Sequence, residues 1–280
     1  MSDPDHRHTV VTYYDTHPIN EQQILEKLER DDIALEGLTE RDLQAYDQDH
    51  YGGIGITEQL ANDAGMAAGH RVLDVCSGMG GPARYFAYHR GCSVMGLDLT
   101  ASRVASAQRL TKLVGLDHLV DFRQGDAQAM PLDDEQFDIA ISQEALLHVP
   151  DKQAVIEECA RVLKLGGILA FTDLTQRTDI AHDDMRMLSK ALASVNFATA
   201  DQYREWLRGA GFEMMVDVDR SEDLKQILTE RLAMYKSLGD QTRARFGKGR
   251  EKEWEDGYSF FVESVVKGRL GGCRFAARRV

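Results

Sequence analysis

The sequence predicts an α/β fold, a seven-stranded and mostly parallel sheet with helices on both faces. Three observations carry this. Short apolar runs recur at Arg71–Cys76, Ser93–Asp98, Val120–Gln124, Phe137–Gln143 and Gly167–Asp173. Helix-length segments at Gly81–His89, Ala101–Val114 and Lys152–Leu163 lie between them, and strands alternating with helices read as the units of a parallel sheet. A glycine-dense turn joins the first run to the first helix, and sheets of this kind take ligands at the C-terminal strand edge, where the strand order reverses.

The remaining elements follow in order. From about Asn20 to Tyr46 an acidic stretch carries Ile24, Leu28, Ile33, Leu35, Leu38 and Leu43 in a helical pattern. Asp47–Gly55 is a glycine-dense loop, and Ile56–Ala64 a second helix. A helix at Asp201–Ala210, stopped by Gly211, precedes a sixth strand at Glu213–Val218; a last strand fits Cys273–Ala277. Between these two strands lie helical, charged segments at Leu224–Lys236 and Gln241–Gly268 carrying Trp254, Tyr258, Phe260 and Phe261, read as a cap over the sheet edge. The chain divides accordingly into an N-terminal helical lid (residues 1–55) and a main domain (residues 56–280) with the cap inserted at about 219–268.

Composition removes several function classes. The 280 residues carry a formal charge of −13, unsuited to nucleic acid or an anionic membrane, both of which need clustered positive charge. With 43 % hydrophobic and 28 % charged residues the chain is globular rather than disordered. The beginning of the sequence shows no secretory signal, and no apolar run is long enough to span a bilayer, which predicts a cytoplasmic protein. Cys76, Cys92, Cys159 and Cys273 show no metal-ligand spacing and read as small buried thiols; no metal is expected.

The sharpest local signal is Val72-Leu-Asp74-Val-Cys-Ser77-Gly78-Met-Gly80-Gly81-Pro-Ala-Arg84. Its glycines sit where backbone must approach a ligand closely. Gly78-x-Gly80-x-x-Ala83 also matches a dinucleotide fingerprint, and Asp74 decides between the two. A pyrophosphate at the helix N-terminus is poorly served by a carboxylate at the mouth of the same loop. A ligand ammonium is well served by one, and S-adenosylmethionine has an ammonium and no phosphate. Asp98 ends the second strand about twenty residues on, where an acid holds ribose hydroxyls. Asp126 ends another and suits an adenine amino group, and Ser142-Gln143-Glu144 ends the next. Each acid taken singly is equally a loop carboxylate or helix cap.

These motifs resemble the class I S-adenosylmethionine-dependent methyltransferases of the small-molecule type, on VLDVCSGMGG, GLDLT, GDAQAMPLDDEQFD, ISQEALLHVP and RVLKLGGILAFTD, covering about Arg71–Asp173. The resemblance implies a Rossmann-like fold and S-adenosylmethionine as cofactor, with S-adenosylhomocysteine as product. By the same resemblance Asp74, Ser77, Gly78 and Gly80 line the methionine end, Asp98 with Leu99 the ribose, Asp126 with Ala127 the adenine, and Gln143 gives backbone contact near the sulfonium. Cys76 stands where the family commonly has its first loop glycine, which puts the backbone shape there in question. A narrower resemblance is to the sarcosine and dimethylglycine N-methyltransferases and their phosphoethanolamine relatives, on Val-Thr-Tyr13-Tyr14-Asp15, GGPARYFA and SQEALLH followed by FTDLTQ. It implies an aromatic N-terminal segment over the cofactor, with Tyr51 closing on the methionine. GGPAR also occurs in sterol and quinone C-methyltransferases.

Methyl transfer from a sulfonium is an in-line displacement, governed by positioning. An amine must lose its proton, and His148 is the candidate base, its ordinary pKa being near neutrality. Glu144 is a candidate anchor for a substrate cation, or a helix cap. Tyr13 and Tyr14 offer aromatic faces to a cation, Arg177 and Arg186 are candidates for a substrate carboxylate, and His6, His8 and His182–Asp184 hint only faintly at metal. The leading function is methylation of a small acceptor, foremost an amine nitrogen, by a monomer or homodimer. Alternatives are C-methylation of a sterol-, quinone- or prenyl-type acceptor, or a catalytically silent cofactor-binding protein. An NAD dehydrogenase is disfavoured by Asp74, and nucleic-acid methylation by charge and by the lack of an Asn-Pro-Pro-Tyr-like stretch.

Overall fold

Runs of apolar residues with no polar alternation become the central strands because they are buried on both faces. The computed structural model describes residues 4–237, 243 and 247–280. Its sheet holds β1 (Arg71–Val75), β2 (Ser93–Asp98), β3 (Val120–Gln124), β4 (Phe137–Gln143), β5 (Leu163–Gln176), β6 (Phe212–Asp219) and β7 (Leu270–Arg279), in the order β3-β2-β1-β4-β5-β7-β6. The first five are parallel neighbours, whereas β7 runs antiparallel between β5 and β6. The chain winds outward from β1 to β3 and then returns to β4, so a crevice opens over the C-terminal ends of β1 and β4.

β5 is longer than the apolar run predicts. It starts at Leu163 directly after the preceding helix, and its pairing with β4 jumps from Phe137–Leu163 to Ile139–Ile168. Gly166, at φ +80°, turns the chain within that jump. The strand therefore includes the exposed Lys164–Gly166 turn, which carries no apolar signal.

The helices, in chain order, are α1 (Pro4–Asp15), α2 (Glu21–Arg30), α3 (Glu40–Leu43), α4 (Gly53–Asp63), α5 (Gly81–Arg90), α6 (Ala101–Leu113), α7 (Lys152–Val162), α8 (His182–Leu192), α9 (Ala200–Gly209), α10 (Ser221–Ser237) and α11 (Lys248–Val266). Alternation along each strand sends Val72 and Leu73 to opposite sides. On one side Leu73, Phe137 and Phe171 pack with Ile156 and Cys159 of α7 and Tyr203 and Leu207 of α9. On the other, Val72, Val94 and Ile141 pack with Leu60 of α4, Phe86 of α5 and Ala107 of α6.

Two sequence readings are corrected. The stretch Asn20–Tyr46 is α2, a turn and α3: Asn20 caps α2 by accepting from the Gln23 amide, and the chain reverses at Asp32, φ +58°. Its Leu28, Leu38 and Leu43 pack on Met79 of the glycine turn and Leu110 of α6. The cap holds α8 as well as α10 and α11, with Leu188, Leu192, Leu224, Leu228 and Phe261 in one core. Residues 1–3 of the lid segment, and 238–242 with 244–246 of the cap segment, lie outside the described residues. The four cysteines are free thiols, Cys92, Cys159 and Cys273 buried, and among the described residues no helix is long and apolar enough to cross a membrane.

The glycine turn is packed as tightly as the core. Gly80 lies at φ +78°, and a Cβ there would fall within the Phe122 ring. Gly115, at φ +71°, has open space around it. Gly80→Ala is therefore expected to lower unfolding stability by roughly 2–4 kcal/mol, backbone strain plus overpacking, and Gly115→Ala by about 1 kcal/mol from strain alone. Urea titration of both variants checks the difference, which vanishes if Phe122 repacks freely.

Candidate active site

The crevice over β1 and β4 is a pocket of about 1060 Å³ counted out to its open mouth. Its inner wall is the turn after β1. Cys76, where a glycine was expected, holds the left-handed conformation at φ +59°, so the loop keeps the shape a glycine would give it at a cost of roughly 1–2 kcal/mol. Glu144 at the end of β4 is likewise left-handed, φ +51°, and both residues line the pocket. Strain of this kind gathers where surrounding structure overrides the backbone's preference.

Asp74 is 2 % exposed and lines the pocket, and its Oδ2 has no hydrogen-bond partner. Burial and the nearby Asp98 charge push its pKa up to about 8. Ser77 Oγ and Gln143 Nε2, also on the pocket, are buried and unbonded as well. Buried polar atoms are almost always satisfied, so a carboxylate oxygen, a hydroxyl and an amide N–H left open on one wall fit a ligand bearing both a cation and hydrogen-bond acceptors. The Gln143 Oε1 accepts from Thr57 Oγ1 at 3.0 Å, fixing which end of the amide remains free.

The other predicted acids are held by backbone. Asp98 accepts from the Gly78 and Thr100 amides, each at 2.8 Å, which ties the end of β2 to the glycine turn. Asp126 Oδ1 accepts from the Gln128 amide at 3.0 Å, and its Oδ2 lies 3.5 Å from Arg7 Nη2 of α1. Leu99 and Ala127 complete this wall. Gly80 does not line the pocket; its role is the packing against Phe122. Tyr51 does not line it either, since its ring stacks on Phe261 at 5.9 Å, with the Arg231 guanidinium over it at 5.1 Å.

At the mouth, α1 brings Tyr14 to His148. The Tyr14 hydroxyl donates to His148 Nε2 at 2.8 Å, because Nδ1 donates to the Ala193 carbonyl at 3.3 Å. The imidazole is thus neutral with its lone pair already engaged, and burial pulls its pKa down to about 4. The expectation of a free base titrating near neutrality is corrected accordingly. Tyr14 does not offer a face to a ligand cation, as Arg103 occupies that face at 5.0 Å and also donates to the Tyr14 carbonyl. His6 donates to the His148 carbonyl at 2.7 Å, so α1 is seated through His6, Arg7 and Tyr14 together.

Glu144 is buried beneath this pair. One oxygen accepts from the Tyr51 amide, the other lies 3.6 Å from Arg220 Nη1, and burial pushes its pKa up to about 8. Arg177 and Arg186 lie elsewhere, paired with Asp219 at 2.6 Å and Asp183 at 3.1 Å. Residues that periodicity gave no reason to single out, Thr57, Arg103, Arg7 and Arg220, complete the site from helices distant in sequence.

Stability should therefore depend on pH in a direction opposite to that of a salt-bridged acid. The pKa of Asp74 is raised on folding, so the folded state is favoured while the carboxyl stays protonated and loses stability as pH climbs from about 4 to about 8. Asp74→Asn is expected to stabilise the unliganded protein by on the order of 1–3 kcal/mol at pH 8, and much less at pH 5. Thermal unfolding of both proteins at the two pH values measures it; equal differences at pH 5 and 8 would sink the assignment of a strained carboxyl.

Comparison with known proteins agrees with this geometry. Residues 73–171 match the family model described as a methyltransferase domain. The chain is 35 % identical over 153 residues to sarcosine/dimethylglycine N-methyltransferase of Halorhodospira halochloris, covering 55 % of each. It is 33 % identical over 175 residues to sterol 24-C-methyltransferase of Eremothecium gossypii, covering 59 % of this chain and 46 % of that one. The chain thus spans about half the length of these curated relatives. Geranyl diphosphate C-methyltransferase from Streptomyces coelicolor shares the fold end to end, at TM-score 0.75 and 17 % identity over 100 % of this chain and 99 % of that one. The strand order, the glycine turn and the match over residues 73–171 agree in making that part of the chain similar to a methyltransferase domain.

Proposed function

We propose that the protein transfers a methyl group from S-adenosylmethionine to a small acceptor, foremost an amine nitrogen. The observation that carries the cofactor is the buried, unbonded Asp74 oxygen on the pocket wall. Asp74 would hold the ammonium, Ser77, Gly78 and Gln143 the rest of the methionine end, Asp98 and Leu99 the ribose, and Asp126 and Ala127 the adenine. The bound cofactor supplies an electrophilic methyl on a sulfonium.

The chain's own residues do the remainder. As an acceptor nitrogen at the pocket mouth gives its proton to the Tyr14 oxygen, the hydroxyl's own proton would pass to His148 Nε2, so the pair takes up one proton in all. His148 is kept neutral by burial and oriented by the Ala193 carbonyl. Residues 4–15 act as the lid that keeps water out, docked by Arg7, His6 and Arg103. The alternative of C-methylation draws on Glu144, a buried carboxyl whose pKa is pushed up to about 8 and which, once ionised, is basic enough to take a proton from a methylated carbocation; turnover of a sterol or prenyl diphosphate, with no amine methylated, would favour it.

Calorimetric titration with S-adenosylhomocysteine tests the cofactor assignment. Binding at pH 7 is expected to release close to one proton, because a ligand ammonium ionises Asp74, and the release shows as a dependence of the heat on buffer. Asp74→Asn should weaken binding about 10- to 100-fold and abolish the proton release. No detectable binding by the native chain overturns the reading. For the Tyr14–His148 pair, Tyr14→Phe and His148→Asn are each expected to lower kcat about 100-fold while leaving S-adenosylhomocysteine affinity within about threefold. A double variant no slower than either single one would mark them as one unit, whereas unchanged kcat in Tyr14→Phe removes the relay.

A further inference from the structure

We propose that Arg220, Arg231 and Tyr258 form an oxyanion subsite behind Glu144 that takes a carboxylate or phosphate group of the methyl acceptor. The identity of the occupant as an acceptor rests on the methyl-transfer reading above; the anion site itself does not.

Arg220 sits between β6 and α10 with its side chain 8 % exposed. Its one charged neighbour is Glu144, at 3.6 Å, and among the described residues its guanidinium makes no hydrogen bond. Arg84, by contrast, donates to the Met79 and Ala107 carbonyls, to Thr111 and to Asp47. A guanidinium has five N–H donors in a planar fork suited to carboxylate and phosphate. Arg220 is therefore incomplete in a way that an oxyanion would complete.

Two further groups face the same place. The Tyr258 hydroxyl is buried and has no partner. Its ring lies 6.0 Å from Phe261, which contacts Tyr51, whose own amide is bonded to Glu144. Arg231 lies over the Tyr51 ring and donates to the His50 carbonyl at 2.9 Å; among the described residues it forms no ion pair, and its charge acts on Glu144. Two guanidiniums thus share one carboxylate. Burial favours the protonated form of Glu144, so the cluster carries at least one net positive charge within a chain of charge −13. Glu144 also lines the cofactor pocket, so an anion seated here is tethered to a group that reaches the methyl. Arg177 and Arg186, singled out in the sequence for this role, are spent on surface pairs.

The test uses the full-length protein, with and without S-adenosylhomocysteine, titrated calorimetrically with inorganic phosphate and with acetate. Saturable binding of at least one anion is expected. It should weaken about 10- to 100-fold in Arg220→Gln and several-fold in Tyr258→Phe, which deletes only an unbonded hydroxyl and keeps the test valid should Arg220→Gln fail to fold. The tighter of the two anions tells carboxylate from phosphate. In rate assays, KM for N,N-dimethylglycine or phosphorylated N,N-dimethylethanolamine should rise by similar factors in these variants, with KM for N,N-dimethylethanolamine unchanged. Absence of saturable anion binding, or variants that bind as tightly as the native chain, overturns the subsite. Anion binding that persists while none of the acceptors is methylated leaves the subsite standing and counts against the methyl-transfer reading instead.

Discussion

The geometry of the pocket depends on one buried guanidinium. Arg84, fully buried in α5, pairs with Asp47 at 2.7 Å and lies 3.5 Å from Glu40, while it donates to the Met79 carbonyl within the glycine turn. It joins three pieces of chain that the backbone alone leaves separate: α3, the loop before α4, and the turn that carries Gly78. Removing one member of such a group strands the others as unpaired buried charges, costing roughly 3–5 kcal/mol. Glu40 shows how little is in reserve, since burial and the Asp47 charge already push its pKa well up. The N-terminal segment is thereby built into the wall of the site, with Leu28 and Leu43 packed on Met79 beside the same arginine.

Around that anchor the site divides by charge. The inner half holds acids whose pKa values are raised by burial, Asp74 and Asp98. The outer half holds Arg103, Arg220 and Arg231, with Glu144 between the halves. Each half keeps a group the described residues do not fully satisfy: an Asp74 oxygen without a donor, and an Arg220 guanidinium whose one ion-pair partner, Glu144, lies 3.6 Å away. An unliganded fold that keeps such groups gives up stability for binding, the usual conflict between a site and its scaffold. A ligand set with a cation at the inner end and an anion at the outer end relieves both.

How much of this the sequence displays depends on where a residue's reason for being lies. The central strands were legible because burial on two faces writes an unbroken apolar run, and Asp74, Asp98, Asp126 and Gln143 were legible because each lies at or near the C-terminal end of a strand. α1 was not: Pro4–Asp15 has no apolar face, with Val10 its one core residue, and its contacts are polar ones to a pocket assembled from distant chain. α8 carries Leu188 and Leu192 at helical spacing, but only two buried positions on so short a segment do not outweigh its acidic start. Arg177 and Arg220 look alike in the sequence. What separates them is that Arg177 meets Asp219 and Ser221 at the surface, whereas Arg220 turns inward toward Glu144, a pairing across 76 residues. Side-chain direction in the short links beside a strand is set by tertiary packing, and no local pattern encodes it.

The Tyr14–His148 pair shows why so weak a helix as α1 is retained. Tyr14 belongs to α1 and His148 to the turn after β4, so their 2.8 Å contact exists only while the helix is docked. The turn is fixed independently of α1. Asp173 accepts from the Leu147 amide, Ser194 donates to the Leu147 carbonyl, and Lys152 bridges the Val149 and Asn196 carbonyls. His148 is therefore held in one tautomer and one orientation by the body of the protein, and the hydroxyl comes from the separately docked α1. Helix propensity contributes little to holding α1, since a helix of 12 residues is marginal in water. Its docking rests on Arg7 against Asp126, His6 against the His148 carbonyl and Arg103 against the Tyr14 carbonyl, contacts that reach both the predicted adenine wall and the proton-accepting pair. On the proposed reading, closing the pocket and completing the acid–base pair would be one event, carried by the same twelve residues.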